Sequence, residues 1–454
     1  MYFAVRAFVV ASILVLVFSI RVANAQDPAP SPSPQSAAGT NVAATKPAPE
    51  PLTDFWTQET MTGDWGGTRS RWKEKGIELE FKLSNFVQGL ASGGDGSNET
   101  EYTGKFEMNW KFDLGKVAGW KYWSSEIKTE FRFSGPLLLS TGAINPVNTA
   151  AISPAADGES VAITALNFTR LIPIDLKKGD LWAISFGRFN LLDLVDEDFF
   201  GGAGTERFFN LAEIGPLTVV REVPLVTNGF SAAYVKGGEP RFTLAILDPN
   251  DHTLDSGLDD LFADGVTFSP GVHFPAKYWN KSAKHSLSAA ITTKKFTPFD
   301  IIRQNIIPGP ALNPVEPKRG SWSVSYVFRQ YLVERGHRDG WGFFGQLSFA
   351  NKDTSPITKF VNVGLGGNGL FKSRNRDEFG VAYAFSDLSS VLKDNIDLLT
   401  IGDRTLQAEH QFEAFYNLHV TPWLRLTGDI QIIRGVRPRF DTAVVPGARL
   451  VMIF

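Results

Sequence analysis

Residues able to do chemistry are plentiful in this chain, but their spacing points away from catalysis. The six histidines, His252, His273, His285, His337, His410 and His419, are scattered, and no His-Glu-x-x-His pair sets two imidazoles on one helix face for zinc. No Gly-x-Ser-x-Gly nucleophile elbow occurs either. A triad assembled only in space from dispersed Ser, His and Asp leaves no such trace, so that reading stays open. The chain has no Cys, which removes a thiolate nucleophile, a disulfide framework, a Cys-ligated metal and a lipid-anchoring cysteine. Two acidic runs offer oxygen ligands to calcium: Asp248, Asp251, Asp255, Asp259, Asp260 and Asp264, and Asp193, Asp196, Glu197 and Asp198. Neither has EF-hand spacing, and both read first as solvated loops. Gly364 to Gly369 fits Gly-x-Gly-x-x-Gly, yet Lys372 to Arg376 and another strand follow, with no helix to hold a phosphate. The expectation is no catalytic residue, no metal and no cofactor.

What remains is charge at every second position. Ile77, Leu79, Phe81 and Leu83 alternate with Glu78, Glu80, Lys82 and Ser84; Phe106, Met108, Trp110 and Phe112 alternate with Lys105, Glu107, Asn109, Lys111 and Asp113. Ile127, Phe131 and Phe133 alternate with Glu126, Lys128, Glu130 and Arg132. Period-two alternation is the signature of strands with one wet face and one apolar face. The predicted wet-face set is Lys82, Lys105, Glu107, Lys128, Glu130, Arg132, Arg241, Glu413, Arg425, Asp429 and Arg449. Arg188 is a further candidate, although its parity with Trp182 and Phe186 turns it outward unless a bulge intervenes.

The elements that carry these charges are clearest at the end of the chain. Phe412, Ala414, Tyr416, Leu418 and Val420 share one face against Gln411, Glu413, Asn417 and His419; Leu424, Leu426, Gly428, Ile430 and Ile432 alternate with Arg425, Thr427, Asp429 and Gln431. Ala448, Leu450, Met452 and Phe454 share the apolar face of a last strand, with Arg449 opposite. A soluble sandwich alternates too. Phe at 36 and Trp at 11 against four Met suit strands and interfacial belts. Further runs near 161–171, 181–189, 227–236, 241–247, 265–273, 286–292, 321–332, 341–351, 360–365 and 377–386 bring the count to about sixteen, an even number as in outer-membrane barrels. Between them, short turns alternate with long segments, 135–159, 191–221, 249–264 and the Pro-rich 308–318. A net charge of -3 excludes a general polyanion binder, so nucleic acid is not an expected partner.

The amino terminus sets the compartment. Arg6, the apolar run Ala7 to Ile20 and the small-x-small site Ala23-Asn24-Ala25 read as a secretory signal peptide, 1–25, cleaved after Ala25. An uncleaved anchor is the alternative. Residues 26–51 are rich in Pro, Ala and Ser and read as an extended linker, a spacer first and a cell-wall contact second. Residues 52–76 hold a turn, Thr62 to Gly67, and a short helix, Thr68 to Lys75, ending at Gly76; 77–454 would be the barrel. A mature membrane protein without a second apolar run of about 18 residues must cross with a closed sheet.

At GDWGGTRSRWKEKGIELEFKLSNFVQGLASGG the chain resembles the carbohydrate-selective porins of Gram-negative outer membranes, the OprB-type family. ISFGRFNLLD with the following FFGG, VGLGGNGLFKSRNRDEFGVAYAFSDLS and EAFYNLHVTPWLRLTGDIQII extend the resemblance in order from Leu52 to Phe454, with Leu211 to Arg319 the poorest part. The resemblance implies an all-β, sixteen-stranded transmembrane antiparallel barrel with long loops folded inward, for which 191–207 and 135–159 are candidates. It implies downhill diffusion of mono- or oligosaccharides across the outer membrane, in contact with its lipid. Phe454 resembles the terminal aromatic read by the outer-membrane assembly machinery. For such a channel the wet-face set would line the lumen, where the planar fork of Arg can donate to two sugar hydroxyls at once. A general small-solute porin, a closed barrel and a barrel hydrolase are the competing readings.

Overall fold

The computed structural model describes residues 54–133, 139–152, 161–195, 198–300, 316–399 and 406–454. The expected signal peptide, the linker 26–51, Asp196, Glu197 and parts of the 135–159 and 308–318 segments lie outside the described residues.

Alternation translates into one antiparallel sheet. Its strands are β1 (Ile77–Gly89), β2 (Ser92–Gly94), β3 (Thr100–Asp113), β4 (Trp123–Phe133), β5 (Ala162–Asp175), β6 (Asp180–Asn190), β7 (Val226–Lys236), β8 (Glu239–Leu247) and β9 (Thr267–Tyr278). They continue as β10 (Lys281–Phe296), β11 (Lys318–Gly336), β12 (Asp339–Ala350), β13 (Ile357–Asn368), β14 (Glu378–Leu388), β15 (Glu409–His419), β16 (Leu424–Arg434) and β17 (Asp441–Ile453). β2 is a three-residue strip on β17, leaving sixteen long strands among the described residues. Each pairs with its neighbour, and β1 meets β17 with Lys82 opposite Ile453 and Gln88 opposite Gly447. The sheet is closed, so no edge strand is left with unpaired amides. Each predicted run has its strand. Most strands run past the apolar stretch that revealed them, because the hydrogen-bond ladder continues where side chains leave the hydrocarbon zone.

Tight turns gather at one end. Gly237 and Gly238 join β7 to β8 with φ of 65° and 79°, and Trp279 and Asn280 join β9 to β10 at 50° and 58°. Left-handed pairs of this kind match the twist of two-residue hairpins. The long segments all leave the opposite end, the asymmetry of outer-membrane barrels. The outer face carries Trp182, Ile184, Phe186, Phe230, Leu287 and Ile430, all exposed. A belt of such residues suits lipid and not water. The segment before β1 docks under the closing seam: Met61 N donates to Ile453 O at 2.7 Å, Trp423 Nε1 to Phe55 O at 2.9 Å, and the Arg69 guanidinium to Phe454 O. Gly67 caps the helix Thr68–Glu74 in the left-handed region, and Asp64 accepts from Ser70 N of its first turn at 2.8 Å.

The apolar core lies inside the barrel. Phe199, Phe200, Phe208, Leu211, Ile214 and Leu217, from the segment between β6 and β7, pack on Phe344, Phe360, Phe415, Ala382 and Leu388 of the inner wall. Phe415 sits on the face the alternation marks as wet, and its aromatic ring there is a seat for Phe208 at 4.8 Å. Gly364, the first glycine of the stretch that mimics a phosphate loop, is part of this seat, as is Gly380 on the next strand. A Cβ on Gly364 would lie 2.4 Å from the Phe344 ring, and one on Gly380 would lie 2.4 Å from Phe415 and 2.6 Å from Phe208. Gly380→Val should therefore push Phe208 out and destabilise the loop by roughly 1–3 kcal/mol. A lower melting temperature in detergent, with barrel strand content kept, is the expected reading; an unchanged melt would mean the loop does not depend on this seat.

Candidate functional site

Two segments enter the lumen, 139–152 and 191–225, and neither can satisfy its irregular backbone with a sheet ladder. Wall side chains do so instead. Glu409 accepts from Ile144 N at 2.6 Å and Asn145 N at 3.2 Å. Glu413 accepts from Phe209 N at 2.5 Å and Asn210 N at 2.9 Å. The buried Arg449 donates to Gly204 O (2.8 Å), Arg207 O (2.9 Å), Glu206 O (2.7 Å) and Asn417 Oδ1 (2.9 Å), with its guanidinium 4.6 Å from the Phe209 ring. Arg132 donates to Ala151 O, and Asp429 accepts from Gln431 Nε2 at 3.1 Å while that amide also reaches Val147 O at 2.9 Å. The two segments are themselves joined, Thr149 N to Phe209 O at 2.8 Å and Leu211 N to Pro146 O at 3.1 Å.

A second group forms an ionic network where β1, β3 and β4 face the loop. Lys128 Nζ lies 2.9 Å from Glu107, 3.0 Å from Glu130 and 2.7 Å from Asp193. Lys105 pairs with Glu130 at 3.0 Å, and Lys82 pairs with Glu107 at 3.0 Å while donating to Thr205 Oγ1 at 3.0 Å. Three ammonium groups thus meet three carboxylates. Oxygens of Glu107, Glu130 and Asp193 lie within 4.8 Å of one another, a spacing a cation could use, but the Lys128 ammonium stands among them. Lys105 and Glu130 are wholly covered, so they hold the wall rather than face an open passage.

The loop tip stands beside a further set of charges. Lys82, Glu206, Arg207 and Arg425 are half-buried there, with Arg207 3.6 Å from Glu378. Asp198 pairs with Arg329 and with Arg338, the latter at 3.1 Å, and accepts from Tyr331 Oη at 2.7 Å. Below lies a vestibule of about 720 Å³ lined by Glu378, His419, Arg376, Asn375 and Asn368. Arg241 is half-buried on the inner wall of β8, away from this cluster. Arg188 follows its parity: β6 carries no bulge at that point, and the guanidinium donates to Ile163 O (3.0 Å), Asp255 O and Ser256 O (2.8 Å) outside the lumen. The longer acidic run is largely solvated, with Asp251, Asp255, Asp259, Asp260 and Asp264 exposed, but some members of both runs have partners. Asp193 and Asp198 turn inward to cations, Asp251 accepts from Leu225 N (3.0 Å) and Val226 N (3.1 Å), and the fully buried Asp248 accepts from Asn250 N (2.8 Å). Glu206, Arg207, Glu378 and Arg329 escaped the sequence reading, two because they lie in a loop and two because they stand at strand positions outside the quoted alternations.

Burial raises carboxyls of the loop, Glu213 and Glu222 among them, and so couples it to pH. Glu222 is fully buried behind the loop, where Thr267 Oγ1 donates to its carbonyl at 2.6 Å and Ser321 Oγ to its carboxyl. Burial pushes its pKa up from 4.5 to about 7, against the pull of Ser321, its own backbone, Arg221 and Ser323. A raised carboxyl pKa means the protonated form is the one that packs. Its stabilisation is complete below about pH 4.5 and is lost as pH rises through about 7, on the order of 3 kcal/mol in all. The melting temperature in detergent should fall across that window, and Glu222→Gln should flatten this part of the profile; an equally steep fall in the variant would assign it to other groups.

Comparison with known proteins places this architecture. The chain is similar to Porin B of Pseudomonas aeruginosa, 24% identical over 438 residues that cover 87% of this chain and 91% of that protein. It is 33% identical over 89 residues to the putative porin QuiX of Acinetobacter baylyi, 19% of this chain and 20% of that one. The high-pH structure of Pseudomonas putida OprB superposes with a TM-score of 0.73 at 21% identity, covering 88% of this chain and all of that one; the low-pH structure gives 0.51 at 18%. The carbohydrate-selective porin family, OprB, matches residues 97–450. An inwardly braced sixteen-strand barrel and a family match across most of its length make this chain a member of the OprB family of carbohydrate-selective porins.

Proposed function

We propose that sugars cross the outer membrane by downhill diffusion between the loop tip and the β1, β14 and β16 walls, into the vestibule below. The observation that carries this reading is the opposed charge at the tip, Lys82, Arg207 and Arg425 against Glu206 and Glu378, half-buried where the lumen narrows. Opposed fixed charges hold each other in place and leave donors and acceptors for hydroxyls. Arg425, with its planar fork, is the residue of the set best suited to two neighbouring sugar hydroxyls. The clamping residues Arg132, Glu413, Asp429 and Arg449 set the width of the passage and do not meet the solute.

The remaining assignments follow from the same reading. Residues 1–25 are a signal peptide cleaved after Ala25, 26–51 a spacer able to contact the cell wall, 52–76 a seal under the barrel seam, and 77–454 the channel. The assembly machinery reads the last strand with Phe454, whose amide donates to Phe81 O at 2.9 Å once the barrel is closed. The channel works without catalysis and has no nucleic-acid partner.

Liposome swelling with refolded protein tests the proposal, comparing glucose, a disaccharide, an amino acid and a salt. Sugars should enter faster than their size alone allows, and Arg425→Ala should cut that advantage several-fold with the barrel intact. Equal entry of all small solutes would make this a general porin instead.

A further inference from the structure

Two carboxyls of the inward loop stand apart from the others in the lumen. Glu107 and Glu130 meet lysines, Asp198 meets Arg329 and Arg338, and Glu409 and Glu413 accept from loop amides. Glu213 and Glu222 are fully buried, and neither makes an ion pair among the described residues. Asn362 Nδ2 donates to one oxygen of Glu213, and Ser321 Oγ to one oxygen of Glu222. The second oxygens, Glu213 Oε1 and Glu222 Oε2, are covered and lack a hydrogen bond, with only a weaker pull from Ser323 on Glu222. A covered polar atom of this kind calls for an explanation.

The charged groups around the pair do not compensate it. The turn Leu211–Glu213 rests on β13, where Asn362 also donates to Ala212 O at 3.1 Å, and on β14, whose inward Gly380, Ala382 and Ala384 carry no charge. From β15 the facing group is Glu413, of like sign, with Asp429 of β16 and Arg449 of β17 beside that carboxyl. Glu222 meets only hydroxyls on the wall, Thr267 of β9 and Ser321 and Ser323 of β11. Its neighbour Arg221 gives Nε to Thr354 O at 3.1 Å and lies 4.8 Å from the Phe296 ring. Lys294 of β10, which faces Arg221, bonds Pro249 O at 3.2 Å and Asn250, among Asp248, Asp251 and Asp264. Asp353 and Lys318, next to Thr354, pair with each other.

We propose that Glu213 and Glu222 form a pH latch: protonated, they let residues 191–225 stay seated in the lumen, and ionised, they unseat the loop and widen the channel. The proposal rests on the reading of this barrel as a sugar channel narrowed by that loop, and adds its regulation. An ionised carboxyl without a counter-ion needs water, and only an unseated loop gives these two access to it. Burial accordingly raises Glu222 from 4.5 to about 7 and Glu213 well above the usual carboxyl range. Raised values mean that the seated loop holds protons the free loop gives up. Seating is therefore strongest below about pH 4.5 and weakens as pH rises through about 7 for Glu222, and higher for Glu213. The loop has two packings to choose between, and the protons bias the choice.

Single-channel recording of the full chain in planar bilayers tests it, at constant salt from about pH 5 to 8 with glucose as the blocker. The ratio of time in a high-conductance state to time in the low one should rise about tenfold per pH unit for each of the two carboxyls between about pH 5 and 7, and glucose block should be lost in that state. Glu213→Gln combined with Glu222→Gln should hold the low-conductance, glucose-blocked state up to about pH 8. Either single variant should halve the slope on a logarithmic scale, and carries the test should the double variant fail to fold. A parent current independent of pH overturns the latch, and so does a double variant as steep as the parent. A salt current that opens with pH while glucose blocks at no pH keeps the latch and overturns the sugar reading; glucose block that ignores pH does the reverse.

Discussion

Replacing Arg449 by Met should open the channel without unfolding the barrel. Arg449 stands on β17 with its guanidinium covered, and it donates to three loop carbonyls and to Asn417. Methionine fills much of the volume and donates nothing, so Gly204 O, Glu206 O and Arg207 O lose their partner in a covered site. Each orphaned acceptor costs roughly 1–3 kcal/mol, and the loss of a charged donor to several of them amounts to about 3–5 kcal/mol of loop docking. The barrel's own ladder from β16 to β17 and on to β1 does not use this side chain. Single-channel conductance should rise several-fold, sugar block should weaken, and trypsin should cut at Arg207, which is protected when the loop is seated. Conductance and trypsin resistance equal to the parent would show that the apolar seat alone holds the loop.

Lys128→Met should do comparable damage by the opposite route, through charge. Lys128 is the one ammonium in contact with Glu107, Glu130 and Asp193 at once. Without it the network keeps two ammonium groups for three carboxylates, and Asp193 on the loop loses its contact with the wall. Removing one partner of a buried pair is worth about 3–5 kcal/mol, since the charge left behind remains desolvated. The expected result is a lower melting temperature together with a shift of the reversal potential toward cations under a salt gradient. Adding Glu130→Gln to Lys128→Met should recover much of the stability, because it restores the balance of charge. A double variant as unstable as the single one would mean that packing of the Lys128 stem, not its charge, supports the site.

These two residues show how far the wet-face charges could be read in advance. Their alternation with Phe, Trp and Leu placed Lys82, Lys105, Glu107, Lys128 and Glu130 on one face, and the strands put them there. Their duties were not legible. Arg425 and Arg449 have the same type and the same inward parity, yet one is half-buried and the other is sealed under Gly204 and Glu206. The difference comes from a loop more than 200 residues earlier in the chain.

The sequence by itself determined the barrel. Period-two patterning is local, each strand carries its own record of which face meets lipid, and a spanning sheet has to close because lipid offers its edges no partner. The inward parity of the charges, the tight turns and the outward direction of Arg188 follow from that same local rule. Only the tertiary structure decided which inward charges are sealed under the loop and which stay partly exposed. That choice depends on where residues 191–225 come to rest, and they rest where Gly364, Gly380 and Phe415 leave an aromatic seat and where Glu413 and Arg449 complete an irregular backbone. Those contacts join residues far apart in the chain, so no local period records them.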